Sequence, residues 1–130
     1  MPKRLSKTQK KIDNNIRTTL TACCNEGLKD IPGFQWLTHQ VDYTNFPASL
    51  FITCVFDTIT AQHTAQENGQ ALALQRLIQA KLLKIGVKFK KVDAQILCDS
   101  EEACTLDHNG EWPARLASRA GRALRNNRPN

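Results

Sequence analysis

Long apolar runs are missing from this 130-residue chain. Its longest mostly apolar stretch is LFITCVF at 50–56, far short of the roughly 20 residues that span a bilayer. A secretory leader is not expected either. Polar Ser6, Lys7, Thr8 and Gln9 stand where an apolar core would have to follow Lys3 and Arg4. The expectation is a cytoplasmic protein. Aromatic residues are scarce, at 6 %, and neither basic end contains one. That disfavours recognition by base stacking. No P-loop and no GxGxxG is present to cradle a phosphate. The five cysteines are odd in number, include the adjacent Cys23 and Cys24, and follow no regular spacing. They exclude a disulfide framework. Cys98, Cys104 and His108 fall outside the common zinc spacings and have no fourth ligand nearby, so no metal and no cofactor is expected. His39 and Asp57 belong to no catalytic motif, and an enzyme is not expected.

What is present is charge, unevenly placed. Residues 1–17 carry +5, residues 18–112 carry −4, and residues 113–130 carry +5, for a net +6. Positive ends on a mildly acidic middle point to a polyanionic partner. Arg115, Arg119 and Arg122 are four and three apart, which places them on one helical face, and Arg125 extends the row. Guanidinium groups grip phosphate oxygens in a fork. Lys3, Arg4, Lys7, Lys10 and Lys11 form a second basic group, and Lys81, Lys84, Lys88, Lys90 and Lys91 a third. For Lys88 and Lys90, a lysine-guarded edge strand is the competing account. The acids Asp99, Glu101, Glu102, Asp107 and Glu111 lie between basic stretches, where they can pair with the arginine helix.

Periodicity predicts the elements. Ser6 and Gln9 have capping-box spacing, and Ile12, Ile16, Leu20 and Cys23 or Cys24 form an apolar stripe. Together they predict a helix over 6–26, with Gly27 as its stop. Strands are predicted at 34–43 and 50–57, paired as an antiparallel hairpin, with the second central because it is apolar on both faces. A helix from about Thr60 to Ile85, broken at Gly69, follows. A third strand is predicted over 87–98, with a bulge near Lys91. Ser100 caps a short acidic helix, HNG at 108–110 turns, and a last helix starts near Trp112. The predicted fold is α+β, a two-layer sandwich of a three-stranded sheet with helices on one face. Its order is α-β-β-α-(α)-β plus a C-terminal helix. The organisation is a basic end (1–5), one domain (6–112) and an arginine-rich helical tail (113–130).

That element order resembles the type II KH fold of the ribosome-binding factor A family, over about 6–98. The resemblance implies binding to structured RNA or a ribosomal particle. The chain has no GXXG, the tetrapeptide by which KH domains clamp single strands. GFQWLTH, VFDT, RLIQAKLLKIG and DSEEAC are similar to a family of small bacterial proteins, some classed as Fis-type DNA-binding regulators. LIQAKLLKIGV resembles the end of the Fis recognition helix. The expected function is nucleic-acid binding, RNA first, through Lys3, Arg4, Lys7, Lys10, Lys11, Lys88, Lys90, Arg115, Arg119, Arg122 and Arg125. A DNA-binding regulator is the first alternative. A protein-interaction adaptor using Phe34 and Trp36 is the second.

Overall fold

A computed structural model describes residues 5–118. Helix α1 spans Lys7–Asp30, with the Ser6–Gln9 capping box formed in both directions. Strand β1 is Phe34–Gln40 and β2 is Phe51–Phe56, with a 3₁₀ turn at Tyr43–Asn45 between them. Helices α2 (Ile59–Glu67) and α3 (Gln70–Lys84) are separated by Gly69, which takes a left-handed conformation. A single helical turn, α4 (Val92–Gln95), leads into β3 (Ile96–Ser100), and α5 (Glu101–His108) follows. A further helix, α6, is described over residues 112–118.

The sheet order is β1-β2-β3, antiparallel in the first pair and parallel in the second. Every residue of β2 is buried, as its apolarity on both faces required. On one face Ile52, Cys54, Phe56 and Ile96 meet Ile16, Leu20 and Cys23 of α1 and Leu74, Ile78 and Leu82 of α3. This is the predicted α+β class, with α1 and α3 forming one layer against this face of the three-stranded sheet.

A bulge decides what the other face carries. Phe34 opposes Phe56, but Trp36 opposes Val55, so Gln35 is an extra residue. Without it Phe34 and Trp36 would share a face. With it, Phe34 enters the core edge-on to Phe56 at 5.8 Å, and Trp36 turns to the opposite side. There Trp36, Val55 and Asp99 form one row across all three strands. Helix α6 lies over that row. Trp112 stacks edge-on to Trp36 at 4.8 Å, and Arg115 reaches Asp99.

Two expectations need correction. Gly27 does not stop α1, which runs on to Asp30 until Pro32 intervenes. Gly27 is buried there because a Cβ would sit 2.9 Å from the Phe34 ring. Residues 87–91 are not strand, and the ladder begins only at Ile96. The alternation of Val87 and Phe89 with Lys88 and Lys90 is real, but it belongs to an irregular segment pressed on the core. Buried Gln95 holds that segment. Its Oε1 accepts from the Lys90 and Lys91 amides, and its Nε2 donates to the Leu50 and Pro47 carbonyls. With both amides satisfied by a side chain, no ladder forms there. The edge-strand account of Lys88 and Lys90 falls with the strand.

Candidate nucleic-acid interface

Helices α1 and α3 run antiparallel. The Gln70 side chain donates to the Asp30 carbonyl, and Leu74 lies against Gly27. The start of α1 and the end of α3 therefore point to the same end of the molecule. A path of hydrogen bonds ties that end together. Asp13 in α1 accepts from the Tyr43 hydroxyl at 2.7 Å. The loop after Tyr43 reaches Pro47, whose carbonyl accepts from Gln95, and Gln95 fixes the amides of Lys90 and Lys91. Lys7, Lys10 and Lys11 thus share one end of the fold with Lys84, Lys88 and Lys90, and all six are exposed. No ion pair engages any of the six among the described residues.

The first turn of α1 holds lysine and no acid. Cations at a helix N-terminus oppose the macrodipole, at a cost of about 0.3–1 kcal/mol each. Stability alone does not favour this arrangement; a bound anion would reverse its sign.

Asp13 anchors this end from beneath. Its Oδ1 accepts from Tyr43 and, at 3.1 Å, from His39 Nε2, while its Oδ2 accepts from Arg17 Nε at 2.7 Å. Burial pushes its carboxyl pKa up, but the hydrogen bonds from Tyr43, Arg17 and His39 outweigh that and hold it at about 2. Burial and the Asp13 carboxylate together push the Tyr43 phenol well up. Arg17 is therefore already neutralised.

The opposite end of the strands is acidic. Asp57, Asp99, Glu101 and Glu102 sit where the parallel strands β2 and β3 finish, and Asp107 follows on α5. Asp57 accepts from the Thr58 amide, and Thr58 itself caps α2. Glu102 accepts from the Ile59 amide across the gap. Glu101 receives both indoles, with Trp36 Nε1 at 2.6 Å on one oxygen and Trp112 Nε1 at 2.9 Å on the other.

Arg115 lies at this acidic end, away from the lysines. Its Nε and Nη2 donate to the two oxygens of Asp99 at 2.6 and 2.9 Å, and its Nη1 to Asp107 at 3.2 Å. Hydrogen bonding to Asp99 pushes its pKa up. The expectation that Arg115 offers its charge to a phosphate is corrected: the guanidinium is used inside the protein. The pairing of acids with the arginine helix is met at this residue. Lys3, Arg4, Arg119, Arg122 and Arg125 lie outside the described residues.

Phe34 is buried, and half-buried Trp36 is bonded to Glu101 and stacked on Trp112. Among the described residues, no cluster of His, Cys, Asp or Glu is arranged to hold a metal ion, and no helix is long and apolar enough to cross a membrane. The sequence names Lys84 only within its third basic group and does not mark Gln95 at all. Lys84 was visible as a cation in the last turn of an apolar-striped helix; Gln95 carried no signal in its spacing. Compared with family models, curated proteins and solved structures, the chain matches none.

Proposed function

We propose that the protein binds nucleic acid, structured RNA or a ribosomal particle first, through the lysine end of its α+β domain, in a cytoplasmic setting. The observation that carries this is that Lys7, Lys10, Lys11, Lys84, Lys88 and Lys90 lie toward one end of the fold, exposed, with no ion pair to any of them among the described residues. The tail arginines Arg119, Arg122 and Arg125, with Lys3 and Arg4, extend the same reading. Phe89, between Lys88 and Lys90, is buried, so it offers no ring for a base to stack on and recognition runs through backbone and shape. If about five phosphates are neutralised, log K falls with log salt at a slope of about −4 to −5.

The test is crosslinking in cells, then sequencing of the bound nucleic acid, for the native protein and a Lys7→Glu, Lys10→Glu, Lys11→Glu, Lys88→Glu, Lys90→Glu variant. The variant is expected to lose most of the yield; equal yield overturns the proposal. A DNA-binding regulator is the second reading. It draws on the α2–Gly69–α3 turn, which joins two helices and leaves Arg76 and Gln79 exposed on α3. Recovery of duplex DNA carrying a palindrome, in place of RNA, would favour it.

A further inference from the structure

The two sheet edges are treated differently. β3 carries the acid Asp99, paired with Arg115, and a groove beside it is lined by Ile59 of α2, Arg115 and Ser118. At β1 no backbone group of residues 35–40 bonds to anything on its outer side among the described residues. Bare edges are ordinarily guarded by lysine, proline or an inward charge. FQWLTHQ has no lysine, proline, acid or arginine. Its only irregularity, the bulge, lies at its beginning.

The helix beside that edge is unguarded too. A groove of about 520 Å³ runs between α1 and β1, with Arg17, Thr21 and Cys24 on one wall and Leu37, Thr38 and His39 on the other. Helical spacing extends the α1 wall to Asn14 and Leu28, giving positions 14, 17, 21, 24 and 28 on one flank. That is the three-four repeat by which helices pack along one another. Leu28 is 48 % exposed. Arg17 is the flank's one charge, and Asp13 neutralises it.

We propose that β1 and this flank of α1 form the interface between two copies of the chain. Two β1 strands pair antiparallel about a two-fold axis, giving a six-stranded sheet, and the α1 helices lie side by side above the seam. The second copy is preferred as occupant on charge. About a two-fold axis each patch meets its own copy, so the lysine end and the acidic end would each repel themselves there. This face is the exception, because it carries no uncompensated charge, as the centres of interfaces do. An antiparallel edge is also its own complement under a two-fold. The seven residues of β1 give a seam about 23 Å long. The α1 flank, across the groove from the seam, adds to the surface that the dimer would bury. In the dimer the two lysine ends point away from each other.

The test is sedimentation velocity of the nuclease-treated full chain over a concentration series, at low and high salt. Native protein is expected to dimerise, and high salt is expected to leave the dimer intact, whereas nucleic-acid binding weakens steeply with salt. Thr38→Lys and, separately, Thr21→Lys are each expected to weaken the dimer at least tenfold without changing the thermal melt measured as monomer. If Thr38→Lys fails to fold, Thr21→Lys on the helix still decides. Hydrogen exchange of the β1 amides is expected to slow as concentration rises. A monomer at every concentration overturns the proposal and leaves the edge to another chain. A dimer unmoved by both variants overturns it as well.

Discussion

Arg115→Ala separates structure from binding at the arginine helix. The Asp99 side chain is 4 % exposed and Arg115 only 13 %, and the contact is bidentate. Removing the guanidinium strips a buried carboxylate of its forked partner, which costs about 3–5 kcal/mol. An exposed pair would cost 0–1 kcal/mol, and the Asp107 contact, with that side chain 64 % exposed, is of this weaker kind. For a chain of this length, 3–5 kcal/mol lowers Tm by roughly 10–18 °C. Scanning calorimetry measures it. The salt slope of nucleic-acid binding should not change, because this arginine's charge is spent on Asp99. Replacing both partners, Asp99→Leu with Arg115→Met, should recover much of the loss, since the desolvation cost of both ions disappears. A melt within about 3 °C of the native protein, with weakened binding, would refute the reasoning and return Arg115 to the binding surface.

Asp13 makes stability depend on acid. Its folded pKa, about 2, lies below the ordinary 3.8. It thus contributes about 2 kcal/mol, fully present above pH ~4 and lost as pH falls through ~2. Urea midpoints at stepped pH should show this loss, and Asp13→Asn should flatten it. Gly27→Ala gains helix propensity of about 1 kcal/mol. The new Cβ would meet the buried Phe34 ring at 2.9 Å. Phe34 is held against Phe56, so overpacking wins, and denaturation should show a net loss of about 1–2 kcal/mol. Gln95→Ala leaves two amides and two carbonyls without their buried partner, at roughly 2–4 kcal/mol. Gln95→Glu should fare no better at neutral pH, because a carboxylate cannot donate to the Leu50 and Pro47 carbonyls.

The elements that can be read from the sequence are those whose cause is local. The Ser6–Gln9 box and the Ile12, Ile16, Leu20, Cys23 stripe specify α1, because a cap and a 3.6-residue period are properties of neighbouring residues. Gly69 likewise breaks α2 from α3 through its own backbone. Residues 87–95 fail for the opposite reason. Two-residue alternation reports which side chains are buried, and a coil pressed on a core produces the same pattern as a strand. What excludes the ladder is Gln95 bonding to carbonyls some 45 residues away, and no window on the sequence contains both partners. Gly27 follows the same rule: the contact that requires it is with Phe34, and the turn chemistry lies at Ile31–Gly33.

Charge raises the same difficulty at the level of the site. Counting formal charges identifies basic stretches but not which cations remain available. Arg115 and Lys88 look equivalent in sequence, yet one faces Asp99 and the other faces solvent. The difference originates in strand parity. Asp99 lies on the Trp36 side of the sheet because the Gln35 bulge and the β2–β3 register put both residues on Val55's row. Residue chemistry agrees with the division. A planar guanidinium fits a buried carboxylate at two points, whereas a compact, strongly hydrated ammonium stays in water. At the described lysine end every cation left unpaired is a lysine, and the buried cation is an arginine. Among the described residues, the two ends of the fold therefore differ in kind: exposed, unpaired ammonium groups at one, and a guanidinium spent on a buried carboxylate at the other.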